Sequence, residues 1–173
     1  DAECKLVFTD AERREVVPEG PEVVVFGDDG PSGFDGLLDQ GEFETVRPEP
    51  GEVAMFLYTS GSTAAPKGAL HIHETLTAEI DSLHQAHDLT PNDRVLMPSP
   101  LGHISGVIHG ILAPALLGTS AVLQPRWDPK IALDAIADHG VTYMIGAPVF
   151  LQEILAQKDL AEHDLHTLRL FSC

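Results

Sequence analysis

The residues best suited to chemistry lie in one short loop, at positions 58–68. The loop reads Tyr-Thr-Ser-Gly-Ser-Thr-Ala-Ala-Pro-Lys-Gly and begins where the apolar run 53–58 ends. Hydroxyl and backbone N–H groups can donate to phosphate oxygens, glycine lets the backbone approach a ligand closely, and lysine adds a compact positive charge. The predicted phosphate ligands are Thr59, Ser60, Gly61, Ser62, Thr63 and Lys67. The sequence therefore predicts a phosphate-binding loop.

Two other interpretations of this loop are less favoured. A Walker A loop needs a glycine, four residues and then Gly-Lys before a hydroxyl residue, whereas Lys67 precedes its glycine. A flexible Ser/Gly linker with a stray lysine is a common alternative. The ordered hydroxyl residues, proline and lysine that follow an apolar strand make the linker the weaker interpretation.

Histidine pairs elsewhere in the chain are candidate metal ligands. His71 and His73 can point the same way from a strand, and His84 and His87 are one helical turn apart. Neither pair has a third ligand at metal spacing, and no His-Glu-x-x-His motif occurs. We therefore expect no protein-bound metal. Ser105 is not expected to be a nucleophile, because the flanking glycine of a nucleophile elbow is absent.

The elements that must position the loop alternate between strands and helices. Apolar runs predict strands at 23–26, 53–58, 94–97, 120–124, 141–145 and 168–172, and helical spacing predicts helices at 75–87, 107–117, 129–138 and 148–157. Thr75 and Asp128 are the predicted N-caps, and Pro148 is expected in a first turn. Such alternation is typical of parallel β-α-β units. The predicted fold class is therefore α/β, with parallel sheets and flanking helices.

A break in the pattern near 98–101 suggests a division of the chain. Residues 1–100, which include the loop, are predicted to form part of a first α/β subdomain, and residues 101–173 part of a second. The segment 47–52, rich in proline and glutamate, is predicted to be a linker.

The chain is strongly acidic, with a formal net charge of −17. This charge argues against nucleic acid or an anionic membrane as a partner, because both require clustered Lys and Arg. No apolar stretch reaches the ~18 residues of a membrane span, and no signal peptide is recognisable. Cys4 and Cys173 lie near opposite ends and suggest no disulfide framework. A cytoplasmic, reducing location is expected.

The loop resembles the phosphate-binding signature of the adenylate-forming superfamily, which includes acyl- and aryl-CoA ligases, luciferases and the adenylation domains of peptide synthetases. The family pattern is Tyr-Thr-Ser-Gly-Ser/Thr-Thr-Gly-x-Pro-Lys-Gly. The likeness extends to His73, to the segment Met-Pro-Ser-Pro-Leu-Gly-His-Ile-Ser-Gly at 97–106 and to the Gly-x-Pro turn at 146–148. Ala64 replaces a glycine of the pattern, and its methyl group limits positive φ without removing the neighbouring donors. The resemblance implies part of the large N-terminal domain of such an enzyme, closest to acyl-CoA ligases.

The resemblance also implies a reaction and roles for particular residues. ATP·Mg²⁺ and a carboxylic acid would give an acyl-adenylate and pyrophosphate, and the acyl group would then pass to coenzyme A. Residues 59–63 would hold the β- and γ-phosphates with Lys67 alongside, and His103 would lie beside the substrate carboxylate. His103 and Lys67 are therefore the predicted catalytic residues. The alternative for His103 is a structural role as cap of the following helix.

The charges around His103 indicate the class of acid. By the same resemblance, members that activate amino acids supply an aspartate near this position, which pairs with the substrate's ammonium group. This chain has no acidic residue from 95 to 124, and a buried ammonium group without a partner would be costly. We therefore expect a fatty, alicyclic or aromatic acid without an amino group.

The two ends of the chain suggest a fragment. It starts at Asp1 and ends in the apolar run 168–173, so we expect an inactive piece whose adenine-binding, magnesium-binding and C-terminal parts lie elsewhere. Two alternatives stay open: a ligase that loads a carrier protein or makes a free acyl-adenylate, and a non-catalytic nucleotide-binding module. The oligomeric state is also left open.

Overall fold

The computed structural model describes residues 3–27, 30, 33–37, 41, 44–59 and 66–173, in two compact units, 1–47 and 48–173. In the first unit, β1 (Leu6–Asp10) and β2 (Glu22–Phe26) pair in parallel, and short 3₁₀ helices lie at Arg14–Val16 and Asp35–Leu37. Three phenylalanine rings, those of Phe8, Phe26 and Phe34, pack together. None of the predicted site residues belongs to this unit, and all of them lie in the second.

The second unit opens with an antiparallel hairpin of β3 (Val53–Thr59) and β4 (Lys67–Ile72). β3 confirms the strand expected at 53–58. β4 is not among the predicted strands, although a strand was considered at His71 and His73, because its apolar stretch is short and begins Lys-Gly. It is a strand because β3 supplies its hydrogen-bonding partners. Gly68 suits this pairing, because a Cβ there would overlap the ring of Phe56.

Four parallel strands form the main sheet, in the order β6 (Ser120–Leu123), β5 (Arg94–Met97), β7 (Tyr143–Ile145) and β8 (Leu170–Ser172). Val95, Leu96 and Met97 of β5 are at most 1% exposed, as expected for a central strand of a parallel sheet whose faces are covered by helices. The predicted α/β class is confirmed. The strands at 141–145 and 168–172 are each two residues shorter at their start than the apolar runs suggest.

Helices connect these strands. They are α1 (His73–His87), α2 (Ile104–Val107), α3 (Ala113–Leu117), α4 (Pro129–His139) and α5 (Pro148–Leu155), with a 3₁₀ turn at Leu160–Glu162. A π-helical turn at Ile108–Leu112 joins α2 to α3, so the helix expected at 107–117 is longer and less regular than predicted. Apolar side chains of α4 and α5 pack against the sheet in a core that includes Leu133, Met144 and Ile154.

Two of the three predicted helix starts are confirmed. Asp128 accepts hydrogen bonds from two backbone amides in the first turn of α4, at 2.8 and 3.1 Å, and α5 begins at Pro148. The prediction that Thr75 caps α1 is wrong. β4 runs straight into the helix, which begins at His73, and the Thr75 hydroxyl instead donates to the carbonyl oxygen of Ile72 at 2.9 Å.

Asp93, in the turn before β5, connects several elements at the start of the sheet. Its side chain is 7% exposed and accepts hydrogen bonds from the amide and hydroxyl of Thr90, the hydroxyl of Thr142 and the guanidinium of Arg169, at 2.7–3.1 Å. Burial raises the pKa of Asp93, but these hydrogen bonds outweigh burial and hold the pKa below its ordinary value. Arg169 also donates to two carbonyl groups at the end of α1. One carboxylate thus links α1, β5, β7 and β8.

The predicted boundary near residue 100 lies just after β5. This strand, although it precedes residue 100, belongs to the same sheet as β6, β7 and β8. The division into subdomains at 1–100 and 101–173 stays a prediction.

Two observations concern the surface of the molecule. Within the described ranges, no helix combines the length and apolar character that crossing a membrane requires. Cys4 and Cys173 are both free and exposed.

Candidate active site

The two ends of the predicted phosphate loop face each other across the β3–β4 hairpin. Thr59 is the last residue of β3 and Lys67 the first of β4, and the two are paired in register. The Thr59 hydroxyl donates to the carbonyl oxygen of Lys67 at 3.3 Å, and both residues are exposed. The other predicted ligands, Ser60, Gly61, Ser62 and Thr63, lie outside the described residues, as does Ala64. The structure therefore brings together the two predicted ligands that it describes.

A cleft of about 320 Å³ lies between one face of this hairpin and the start of α2. Because successive side chains of a strand point to opposite faces, residues 57 and 59 of β3 share a face with residues 67, 69 and 71 of β4. The cleft is lined by Leu57, Tyr58, Thr59, Ala69, His71, Gly102, His103 and Ile104. Two predicted site residues, Thr59 and His103, thus meet at one cleft. Lys67 lies on the same face of the hairpin but does not line the cleft.

His103 is the N-cap of α2. Its Nδ1 accepts a hydrogen bond from the amide of Ser105 at 3.2 Å. A nitrogen that accepts a hydrogen bond carries no proton, so the proton of the neutral ring is on Nε2. Nε2–H is then a donor suited to a carboxylate or phosphate oxygen. The capping role considered for His103 is confirmed, and it sets the tautomer that a role beside a carboxylate would use.

Tight packing holds the turn that carries His103. The amide of His103 donates to the carbonyl oxygen of Pro100 at 3.0 Å, and Gly106 lies against the same turn. A Cβ on Gly106 would come within 2.7 Å of the carbonyl carbon of Pro100 and 2.8 Å of the Cα of Leu101. These are backbone atoms, which cannot rotate away as a side chain could. The position of His103 therefore depends on glycine at position 106.

A second cavity, of about 570 Å³, lies at the carboxyl ends of the parallel strands, where α/β proteins commonly bind ligands. Its lining residues are Ser99, Pro100, His103, Ser105, Ile145, Gly146, Ala147, Pro148, Phe150 and Cys173. His103 lies at both this cavity and the hairpin cleft. The lining contains no Asp, Glu, Lys or Arg, so an ammonium group in this cavity would have no carboxylate partner.

His71 and His73 do not share a site. His71 lines the hairpin cleft, whereas His73 lines a different hollow together with Pro48, Pro50 and Glu74. Among residues 3–27, 30, 33–37, 41, 44–59 and 66–173, no three His, Cys, Asp or Glu side chains are grouped to hold a metal ion. Sequence reasoning treated His71 only as a candidate metal ligand and missed its place in the cleft. The available signal was the even, four-residue spacing between Lys67 and His71, which puts both side chains on one strand face once β4 is recognised.

His109, in the π-helical turn, belongs to the core. It is 5% exposed, and burial, followed by the charge of His87, lowers the pKa of its ring to about 4. The ring meets that of Tyr143 edge-on at a centroid distance of 6.5 Å, and burial raises the pKa of Tyr143 to about 12. Both side chains are therefore neutral near pH 7, and neither lines the two cavities described above.

Comparison with known sequences gives a consistent result. The family model described as "AMP-binding enzyme" matches residues 1–173. The chain is 35% identical over 122 residues to the medium-chain fatty-acid–CoA ligase of Escherichia coli (strain K12), which covers 70% of this chain and 22% of that protein. It is 32% identical over 140 residues to a feruloyl-CoA synthase of an Amycolatopsis species, and this match covers 77% of this chain and 28% of that protein. The chain thus spans about a quarter of the length of these relatives.

Comparison with solved structures agrees. The crystal structure of ATP-bound MatB from Rhodopseudomonas palustris matches with a TM-score of 0.78 at 26% identity, over 99% of this chain and 35% of that chain. The resemblance to adenylate-forming enzymes that the loop at 58–68 suggests is confirmed over the whole chain. The chain belongs to the AMP-binding enzyme family.

Proposed function

We propose that this chain is part of a longer enzyme that activates a carboxylic acid with ATP and transfers the acyl group to coenzyme A. The observation that carries the proposal is the meeting of Thr59, at the start of the phosphate loop, with His103 at a single cleft. The names of the relatives, a fatty-acid–CoA ligase and a feruloyl-CoA synthase, support the same chemistry. Because the chain spans about a quarter of those relatives, we propose that it is inactive alone.

The proposed first step is attack of a carboxylate oxygen on the α-phosphorus of ATP. The bond from that phosphorus to the β-phosphate oxygen breaks, and pyrophosphate leaves with both electrons of the bond. Residues 59–63 hold the β- and γ-phosphates, Lys67 neutralises their charge, and Mg²⁺ accompanies ATP as part of the substrate. Such a transfer depends on positioning and on charge neutralisation. In the second step the thiol of coenzyme A displaces AMP from the acyl carbon.

His103 acts in this scheme through its Nε2–H. With Nδ1 engaged at the amide of Ser105, Nε2–H can donate to one carboxylate oxygen and leave the other free to attack. The ring is anchored by its cap, so the donor is preorganised rather than recruited by the substrate. His103 thus aligns the acid without taking its proton, since the carboxylate is already ionised near pH 7.

The cavity at the ends of the strands is proposed to hold the body of the acid. Its lining is mainly apolar and lacks Asp and Glu, which favours a fatty, alicyclic or aromatic acid and disfavours an amino acid. Gly146 and Phe150 shape its wall, because a Cβ at position 146 would lie 2.8 Å from the Phe150 ring. A larger residue at position 146 would therefore displace that ring.

The direct test is an assay of the longer protein that carries these residues. Pyrophosphate release is measured with octanoate, benzoate, cyclohexanecarboxylate and alanine, each with and without coenzyme A. We expect release with at least one of the acids that lack an amino group, and thioester formation when coenzyme A is present. An acyl-adenylate that no coenzyme A accepts would favour loading of a carrier protein. ATP binding without pyrophosphate release for any acid would favour a non-catalytic nucleotide-binding module.

Lys67→Ala is expected to slow adenylation about tenfold, because one charge-assisted hydrogen bond to phosphate is lost. Single-turnover pyrophosphate release measures this step without the later transfer to coenzyme A. Lys158→Ala, at an exposed lysine just after α5, is the matched control and should leave the rate unchanged. An unaltered rate for Lys67→Ala would remove Lys67 from the mechanism.

Two variants of His103 separate its capping role from its proposed catalytic role. Asparagine is among the best N-caps, so His103→Asn should preserve the start of α2 and the unfolding free energy while removing the Nε2 donor. His103→Ala should lose both and cost about 1 kcal/mol of stability. We expect kcat/KM for the acid to fall about tenfold or more in both variants. Full activity of His103→Asn would show that the residue is only a cap.

A further inference from the structure

We propose that His71 is a second imidazole that contacts the carboxylate group of the acid substrate together with His103. The proposal rests on the acid-activating function proposed above and adds a binding residue to it. It names a residue outside the loop and outside the segment 97–106, the two sequence motifs of the site.

The placement of His71 follows from the hairpin register. His71 pairs with Met55 in β3 and shares a strand face with Leu57, Thr59 and Ala69. These side chains form one wall of the hairpin cleft, and His103 lies on the other, at the start of α2. His71 is partly buried, whereas Leu70, its neighbour on the opposite face, is 64% exposed. His71 is therefore directed to the cleft.

The side chains of the cleft suit an anion. Its polar lining side chains are the hydroxyl of Thr59 and the imidazoles of His71 and His103, and no carboxylate is among the lining residues that the structure describes. Each of these groups can donate a hydrogen bond. A carboxylate bound here would accept from two imidazoles without facing a like charge. A cationic group would find no acidic side chain among the lining residues.

The spacing along β4 favours a carboxylate over the terminal phosphates of ATP. Lys67 and His71 are four residues apart, which corresponds to ~14 Å of strand. In the proposed scheme Lys67 lies beside the β- and γ-phosphates. His71 is then too far along the strand to contact those phosphates and lies nearer the other end of the reacting complex. Beyond the α-phosphate the reacting complex contains the adenosine and, opposite the leaving pyrophosphate, the attacking acid. Of these two groups only the acid carries a negative charge, on its carboxylate. The carboxylate and the terminal phosphates both offer anionic oxygens to His71. Octanoate and inorganic pyrophosphate distinguish the two in the test below.

The first test is a histidine NMR titration of the 173-residue chain, in which the ring signals of His71 and His103 are assigned with the His71→Gln and His103→Asn variants. We expect octanoate to shift both signals with one common dissociation constant, while His166, whose side chain is 76% exposed, stays unchanged. Inorganic pyrophosphate should leave His71 unshifted. A His71 signal that does not move at any soluble octanoate concentration contradicts the proposal. A signal that moves with pyrophosphate alone assigns His71 to phosphate and also overturns it.

The second test uses kinetics of the longer protein. His71→Leu should raise KM for the carboxylic acid about tenfold, the loss of one hydrogen bond to a charged group, with KM for ATP unchanged. His71→Gln keeps an N–H donor and should recover part of that loss, which a purely structural role would not predict. His166→Gln is the matched control. Unchanged KM for the acid in His71→Leu overturns the proposal. If the unmodified protein activates no acid, the proposed function fails, and the titration alone decides the role of His71.

Discussion

Replacing Asp93 with alanine is expected to lower the free energy of unfolding by about 3 kcal/mol. The substitution leaves donors of Thr90, Thr142 and Arg169 without their shared acceptor. Arg169 has a side chain that is 42% exposed and can regain water, which places the loss at the lower end of the range for a broken buried ion pair. Urea unfolding measures the difference. A loss below about 1 kcal/mol would show that the hydrogen bonds to Asp93 contribute little to the free energy of unfolding.

The acid side of the pH profile offers an independent check on Asp93. Its pKa in the folded chain lies below the ordinary value, so its stabilising contribution is present above about pH 4 and is lost as pH falls through the folded pKa. The difference in unfolding free energy between the original chain and Asp93→Ala should therefore become smaller as the pH falls below about 4. Asp81→Asn, at an exposed position in the middle of α1, should change stability by less than about 0.5 kcal/mol.

Gly106→Ala is expected to lower kcat/KM of the longer enzyme about 100-fold, the effect of displacing a reacting group by roughly 1 Å. The new methyl group would press on the backbone of Pro100 and Leu101, and the turn that carries His103 would have to move. By helix propensity alone, alanine would stabilise α2 by about 1 kcal/mol. Overpacking against backbone costs about 1–3 kcal/mol, so we expect the steric effect to dominate and stability to fall as well.

Gly51→Ala is the control for this substitution. Position 51 has no positive φ and no heavy atom within 4 Å of an added Cβ, so both activity and stability should be kept. Pyrophosphate release and urea unfolding are measured on both variants. Normal activity of Gly106→Ala would show that the turn can adapt, or that the position of His103 does not limit the reaction.

The parallel sheet was predictable because its strands are continuous apolar runs with polar or turn residues at their ends. Val95, Leu96 and Met97 are buried on both faces of the sheet, and such strands need no alternation to be recognised. Asp128 and Pro148 were also predictable, because a polar cap or an early proline is a local signal. These features depend on few residues, all close in sequence.

What escaped prediction depends on partners distant in sequence or on several competing local choices. β4 is a strand because β3 pairs with it. Seven residues separate Thr59 from Lys67, so the sequence does not contain the two-residue turn that is the usual signal of a hairpin. Thr75 had the right chemistry for a cap, but the chain passes from strand to helix before reaching it. The place of His71 in the cleft followed from the missed strand. For the site, the sequence predicted Thr59, Lys67 and His103 individually, and only the fold showed that Thr59 and His103 line one cleft.

In the strand order β6-β5-β7-β8, the central strand β5 pairs with strands that lie much later in the sequence. The sheet therefore cannot form until those strands have been synthesised. The hairpin joins Thr59 to Lys67 and can close within ~1–10 μs. β5, in contrast, pairs through Arg94 with Ser120 and through Val95 with Tyr143, and such non-local pairing is slow. At a synthesis rate of ~5–20 residues per second, β5 would leave the ribosome several seconds before β7. Until β7 emerges, the apolar run Val95–Met97 has at least one unpaired edge, so this central strand is where chaperone binding or aggregation of the nascent chain should begin.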